Sequence, residues 1–151
     1  IGKSSLLRSI AGLWTEGRGQ VHCCMRDAIF FMPQRPYMFL GTLREQLLYP
    51  DIEQHDATDN TLAALLQEVN LGYLLKRYGL DDAEAWASVL SLGEQQRINF
   101  VRVLLRTNLQ LALIDEGTSA CDPANEQHLY NLLGKRLRSY VSVGHRSTLR
   151  Q

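Results

Sequence analysis

The chain opens on Ile1-Gly2-Lys3-Ser4-Ser5-Leu6-Leu7, and no other stretch limits its possible folds so tightly. These residues are the second half of the pattern G-x-x-x-x-G-K-[ST] running into an apolar helix. Gly2 lets the backbone pass close to an anion. Lys3 is a point charge for β- and γ-phosphates, and the Ser4 hydroxyl is a ligand for Mg²⁺. Ser5 continues the same polar helix start, whose unpaired N–H groups add partial positive charge. A loop of this kind joins a strand to a helix. The pattern's first glycine and its feeding strand are not in the sequence, so the expectation is a fragment that begins inside the motif, with a sheet incomplete at its N-terminal side.

The rest of the chain reads as helices interleaved with short apolar strands, which indicates an α/β sheet. A helix is expected over residues 4–13, stopped near Gly12 and the Gly17/Gly19 pair. Residues 28–32 form an apolar run ended by Pro33, as a buried strand would. Thr42 with Glu45 three residues on is a capping box for a helix over 42–48. Residues 51–60 are polar and expected to be a loop, and 61–78 carry helical apolar spacing. Helices are expected over 93–105 and 125–137, and strands over 109–114 and 140–143. The stretch from about 50 to 90 lacks strand signals and reads as a helical subdomain inserted in the sheet domain.

Composition narrows the function classes. Sixteen basic residues balance sixteen acidic ones, so no global charge points to nucleic acid or to a membrane surface. No apolar run approaches the roughly 20 residues of a membrane span. The three cysteines, two of them adjacent, make neither a disulfide framework nor a zinc site, and a reducing cytosolic setting is expected. The four histidines have no metal-ligand spacing.

Two further segments carry chemistry. Leu109-Gln110-Leu111-Ala112-Leu113-Ile114-Asp115-Glu116 delivers two carboxylates at the C-terminal end of a strand, where α/β sheets place their ligands. Asp115 there would hold Mg²⁺, and Glu116 would polarise an attacking water. Leu90-Ser91-Leu92-Gly93-Glu94-Gln95-Gln96-Arg97 opens a helix that Ser91 can cap and at which Gly93 exposes backbone N–H groups.

This last octamer resembles the signature motif of ATP-binding-cassette (ABC) ATPases, usually written LSGGQ. Leu92 and Glu94 stand where Gly and Gln are usual. The resemblance implies a P-loop NTPase sheet with helices on both faces, and it orders the remaining residues. Gln34 resembles the Q-loop glutamine that touches Mg²⁺ and water. Ser119-Ala120-Cys121-Asp122 resembles the D-loop, with Cys121 for the usual Leu. Gly117 stands where Ala is usual. His145 matches the switch histidine that reaches the γ-phosphate. Segments around residues 31–37, 41–50, 86–97 and 142–146 are similar to subfamily D, which contains peroxisomal fatty-acyl half transporters, the cobalamin transporter and bacterial relatives.

The resemblance implies ATP and Mg²⁺ as cofactors. Catalytic roles fall to Glu116, His145 and Gln34, and metal contacts to Ser4, Gln34 and Asp115. Nucleotide contacts fall to Gly2, Lys3, Ser4, Ser5, Ser91, Gly93, Glu94 and Asp122. It also implies a head-to-tail pairing with a second ABC ATP-binding domain, a transmembrane domain upstream, and a position at the cytoplasmic face of a membrane, with no nucleic acid partner. A mechanical, non-transport cassette ATPase shares every nucleotide motif and stays open as an alternative, as does a non-hydrolysing cassette. Substrate and direction of transport are not legible.

Overall fold

Ala112-Leu113-Ile114-Asp115 are four consecutive buried residues, and side chains alternate between the faces of a strand. Both faces must therefore be covered, as in a parallel sheet wrapped by helices. The computed structural model, which describes residues 2–54 and 56–144, has this arrangement. Strand β1 (Ile29–Met32) pairs with β4 (Leu111–Asp115), and β4 pairs with β5 (Ser139–Val143), all parallel, in the order β1-β4-β5. Each parallel pair needs a crossover. Helix α6 (Pro123–Arg136) makes the one from β4 to β5, and the long excursion through residues 33–110 makes the one from β1 to β4.

Two unequal layers flank the sheet. Phe30, Met32, Ala112 and Ile114 point into the main core. There they join Leu43 and Leu47 of α2 (Leu43–Leu48), Leu62 and Leu66 of α3 (Asp59–Glu68), Ile98 and Phe100 of α5 (Leu92–Leu105), and Leu129 and Leu133 of α6. Leu113 and Asp115 point to the other face, where helix α1 (Lys3–Ile10) packs on β4 and buries Leu7. Strand β5 is an edge among the described residues, and its Tyr140 and Val141 are exposed.

Local chemistry accounts for most boundaries. The expected capping box at Thr42 and Glu45 is formed, with the Thr42 N–H donating to Glu45 Oε2 at 2.6 Å. Arg44 ties α2 to neighbouring segments through Asp59 at 2.7 Å and Asp81 at 2.8 Å. Trp86, wholly buried at the start of helix α4 (Trp86–Val89), donates its indole N–H to the Gly41 carbonyl at 2.8 Å. Arg102 is buried without a carboxylate. It donates to the Gln46 carbonyl and to Asn99, its Nη2 is unpartnered, and burial pushes its pKa down to about 10.

The structure departs from the sequence reading in three places. The loop expected over 51–60 contains a short 3-10 helix, Ile52–Gln54, and the start of α3. The single helix expected over 61–78 is broken. Helix α3 ends at Glu68, Asn70 takes a left-handed conformation (φ 58°), and a short 3-10 helix, Gly72–Lys76, follows. Asparagine tolerates that conformation, and the apolar spacing runs across the break because both pieces bury their leucines in one core. The stretch expected to lack strands contains β3 (Ala83–Glu84), which pairs antiparallel with β2 (Gly41–Thr42). Two residues are too few for an alternation to show in sequence. No helix among the described residues is long and apolar enough to cross a membrane.

Candidate functional site

The ends of β1 and β4 and the start of α1 meet at the C-terminal side of the sheet. Asp115 is buried on the α1 face, and the Ser4 hydroxyl donates to its Oδ1 at 2.7 Å across 111 residues of sequence. Gln34, just beyond β1, donates from Nε2 to Glu116 Oε2 at 2.7 Å across 82 residues. Glu116 itself adopts φ 51°, a conformation that costs a non-glycine residue energy and clusters at functional sites. Its N–H extends the ladder by donating to the Val143 carbonyl at 2.8 Å. The turn rotates consecutive carboxylates apart, so Asp115 meets Ser4 while Glu116 meets Gln34.

Helix α5 brings the second group of residues to this end. Ser91 is its N-cap, and Glu94 completes a capping box that the sequence reading did not anticipate. Both the Ser91 N–H and its hydroxyl donate to Glu94 Oε2, at 2.7 and 2.6 Å. The phenol of Tyr73 donates to Glu94 Oε1. Burial pushes the Glu94 carboxyl up, but the bonds from Ser91 and Tyr73 and the charge of Arg97 outweigh it and hold the group below its ordinary range. At Gly93 a Cβ would lie 2.7 Å from the Ala120 carbonyl oxygen, so the helix start and the 119–122 turn approach closer than a side chain allows. Asp122 caps α6, and the Asn125 backbone and side-chain N–H groups hold its carboxyl below the usual range.

Gln96 links these parts, and the sequence reading passed over it. Its fully buried amide donates to the Gln34 carbonyl and to Ser119 Oγ, both at 3.0 Å. Its Oε1 accepts from the Ala120 N–H at 3.0 Å. A glutamine in a charged-looking run carries no warning that it faces inward. The available signal was its place within α5, two residues before the apolar run at Ile98.

Ser4, Asp115, Gln34 and Glu116 are thus brought together, and Ser91, Gly93, Glu94 and Asp122 lie at the two helix starts beside the 119–122 turn. Gly2 is left-handed (φ 85°) at the start of α1, and Lys3 and Ser5 are exposed there. His145 lies outside the described residues. The Ser4 hydroxyl and the Asp115 carboxylate make an all-oxygen pair of the kind that suits Mg²⁺, which is commonly held by one or two carboxylates with waters and substrate phosphates completing its shell. These two oxygen ligands therefore fit a magnesium ion.

Comparisons with known proteins identify the family and the fold. The ABC transporter family pattern matches residues 1–119. The chain is 53% identical over 150 residues to an ABC transporter ATP-binding protein of Synechocystis sp., covering 99% of this chain and 22% of that protein. It is 40% identical over 194 residues to ABC transporter D family member 2, chloroplastic, of Arabidopsis thaliana (98% and 27%). It is 39% identical over 153 residues to ATP-binding cassette sub-family D member 3 of Homo sapiens (98% and 23%). The chain thus spans about a quarter of the length of these relatives. Its fold matches a bacterial Atm1-family ABC exporter solved with ATP bound, with a TM-score of 0.79 at 23% identity, covering 96% of this chain and 28% of that one. A match over residues 1–119 together with subfamily D relatives along the whole chain makes this an ATP-binding domain of the ABC transporter family, of the subfamily D type.

Proposed function

We propose that this chain is the greater part of the nucleotide-binding domain of an ABC half transporter, and that it binds and hydrolyses Mg·ATP to drive a substrate across a membrane. The observation that carries the reading is the convergence of Ser4 with Asp115 and of Gln34 with Glu116, two side-chain pairs drawn from distant parts of the sequence to one end of β4. A transmembrane domain on the same polypeptide would use the remaining length seen in the relatives. The mechanical-ATPase alternative loses support because two of the relatives quoted above are named as ABC transporter proteins.

In this reading Lys3 and the first N–H groups of α1 bind the phosphates, and Ser4 and Asp115 hold Mg²⁺. When bound, the metal supplies positive charge against the phosphate oxygens. Glu116 accepts a proton from the attacking water and orients it, while Gln34 fixes the Glu116 carboxylate. His145 is assigned to the γ-phosphate. Ser91 and Gly93 would face the nucleotide of a second, symmetry-related domain, so that two chains form two sites. The domain would sit at the cytoplasmic face of its membrane.

Two variants test this. Glu116→Gln keeps the shape and removes the base, so it traps a pair of domains in saturating Mg·ATP, visible as a doubled mass on size exclusion. A variant that stays single under those conditions contradicts the assignment. Lys3→Ala abolishes tight nucleotide binding; unchanged affinity removes Lys3 from its role.

A further inference from the structure

Ser91 is the residue that the proposed function aims at a phosphate from a second chain, yet its hydroxyl is already committed. A serine hydroxyl has one proton. Here it goes to Glu94 Oε2 at 2.6 Å, and the Ser91 backbone N–H goes to the same oxygen at 2.7 Å. A capping-box carboxylate is an internal anion seated where an external anion would otherwise bind. A phosphate arriving at this helix start must therefore draw the hydroxyl away from Glu94 and tolerate a negative charge three residues along the chain.

The second oxygen of Glu94 is held from outside the helix. Tyr73, in the 3-10 helix that follows the left-handed Asn70, donates its phenol to Oε1. The same segment is fastened to α5 by Arg97 Nη1, which donates to the Asn70 carbonyl at 2.7 Å, and to α6 by Asn70 Nδ2, which donates to Asn125 Oδ1 at 2.8 Å. Asn125 in turn donates to both oxygens of Asp122. The phenol thus reaches Glu94 from a segment tied to both helix starts.

We propose that Tyr73 is a positioning residue for the signature serine: its phenol holds the Glu94 carboxylate, and so releases the Ser91 hydroxyl to a phosphate carried by a second chain. The inference rests on the proposed function, which supplies that phosphate. Tyr73 draws charge from the carboxylate and gives it a partner that it keeps once Ser91 has turned away. Without the phenol, Glu94 keeps the charge of Arg97 but hydrogen-bonds only to Ser91, and it competes with the phosphate. Glutamine at 94 carries no charge and competes less.

The test uses the full-length protein in a Glu116→Gln background, with the Mg·ATP concentration that half-saturates domain pairing as the readout. Tyr73→Phe raises that concentration roughly threefold to tenfold, about the net worth of one ordinary hydrogen bond. Nucleotide binding to unpaired domains stays as it was. Glu94→Gln lowers the concentration, and adding Tyr73→Phe to Glu94→Gln changes nothing further. A merely structural Tyr73 would act equally in both backgrounds, and that result overturns the inference, as does a Tyr73→Phe variant that pairs like its parent. If the parent does not pair at all, the proposed function fails and the inference falls with it. If the parent pairs but Tyr73→Phe is silent, only the inference fails.

Discussion

Replacing Gln96 by leucine tests whether one buried amide holds the site together. The side chain has no solvent exposure and makes three bonds at 3.0 Å, to the Gln34 carbonyl, Ser119 Oγ and the Ala120 N–H. At about 1 kcal/mol each, those bonds are worth about 3 kcal/mol. Leucine has a similar volume, and its burial returns about 1 kcal/mol. The net loss is therefore about 2 kcal/mol. With a urea dependence of about 2 kcal/mol per molar, the unfolding midpoint of the complete domain falls by about 1 M. Activity falls further than stability, because Gln34, Glu116 and the 119–122 turn lose their common anchor. Hydrolysis at a temperature where the domain is still folded drops by about tenfold or more, since small misplacements of reacting groups are costly. A midpoint within about 0.2 M of wild type, with unchanged turnover, refutes the reasoning.

Other expectations follow from close contacts and caps. Gly93→Ala sets a methyl 2.7 Å from the Ala120 carbonyl; the overpacking costs about 1–3 kcal/mol in urea unfolding and lowers domain pairing as well. Gly117→Ala places its Cβ 2.7 Å from Ile114 Cγ2 and costs about 1–2 kcal/mol by the same measurement, so restoring the family's usual alanine destabilises this chain. Asp122→Ala removes a cap whose folded carboxyl sits below its ordinary range through the Asn125 N–H. That stabilisation is present above the unfolded value of about 4 and lost as pH falls through the folded one. The gap in unfolding midpoint between variant and wild type therefore narrows from pH 7 to pH 3, and a gap constant with pH would show that the charge contributes nothing.

The parts of this molecule legible in sequence are those where local chemistry and tertiary role agree. The apolar run at 109–114 supplies strand β4 because nothing but a doubly covered sheet buries it. Thr42 and Glu45 cap a helix because three residues suffice to define the box. Residue type and place point to Ser4, Asp115 and Glu116, the family resemblance points to Gln34, and the fold pairs them. What escaped depends on contacts between distant segments. Gln96 looks like a surface residue until the 119–122 turn closes over it. Tyr73 lies in a stretch whose helical spacing conceals the break at Asn70. The sequence points to Gly93 for its exposed N–H groups, and the structure adds a second reason, the approach of the Ala120 carbonyl. Glu94 departs in sequence from the usual glutamine, and only the capping box explains how a carboxylate is accommodated there.

The most direct test of the central claim is Mg²⁺-dependent ATP hydrolysis by the complete domain as a function of protein concentration, wild type beside Glu116→Gln. A rate that rises faster than linearly with concentration and is lost in the variant is the predicted result for paired domains with Glu116 at the water. Hydrolysis strictly proportional to concentration, or equal in the two proteins, would contradict it.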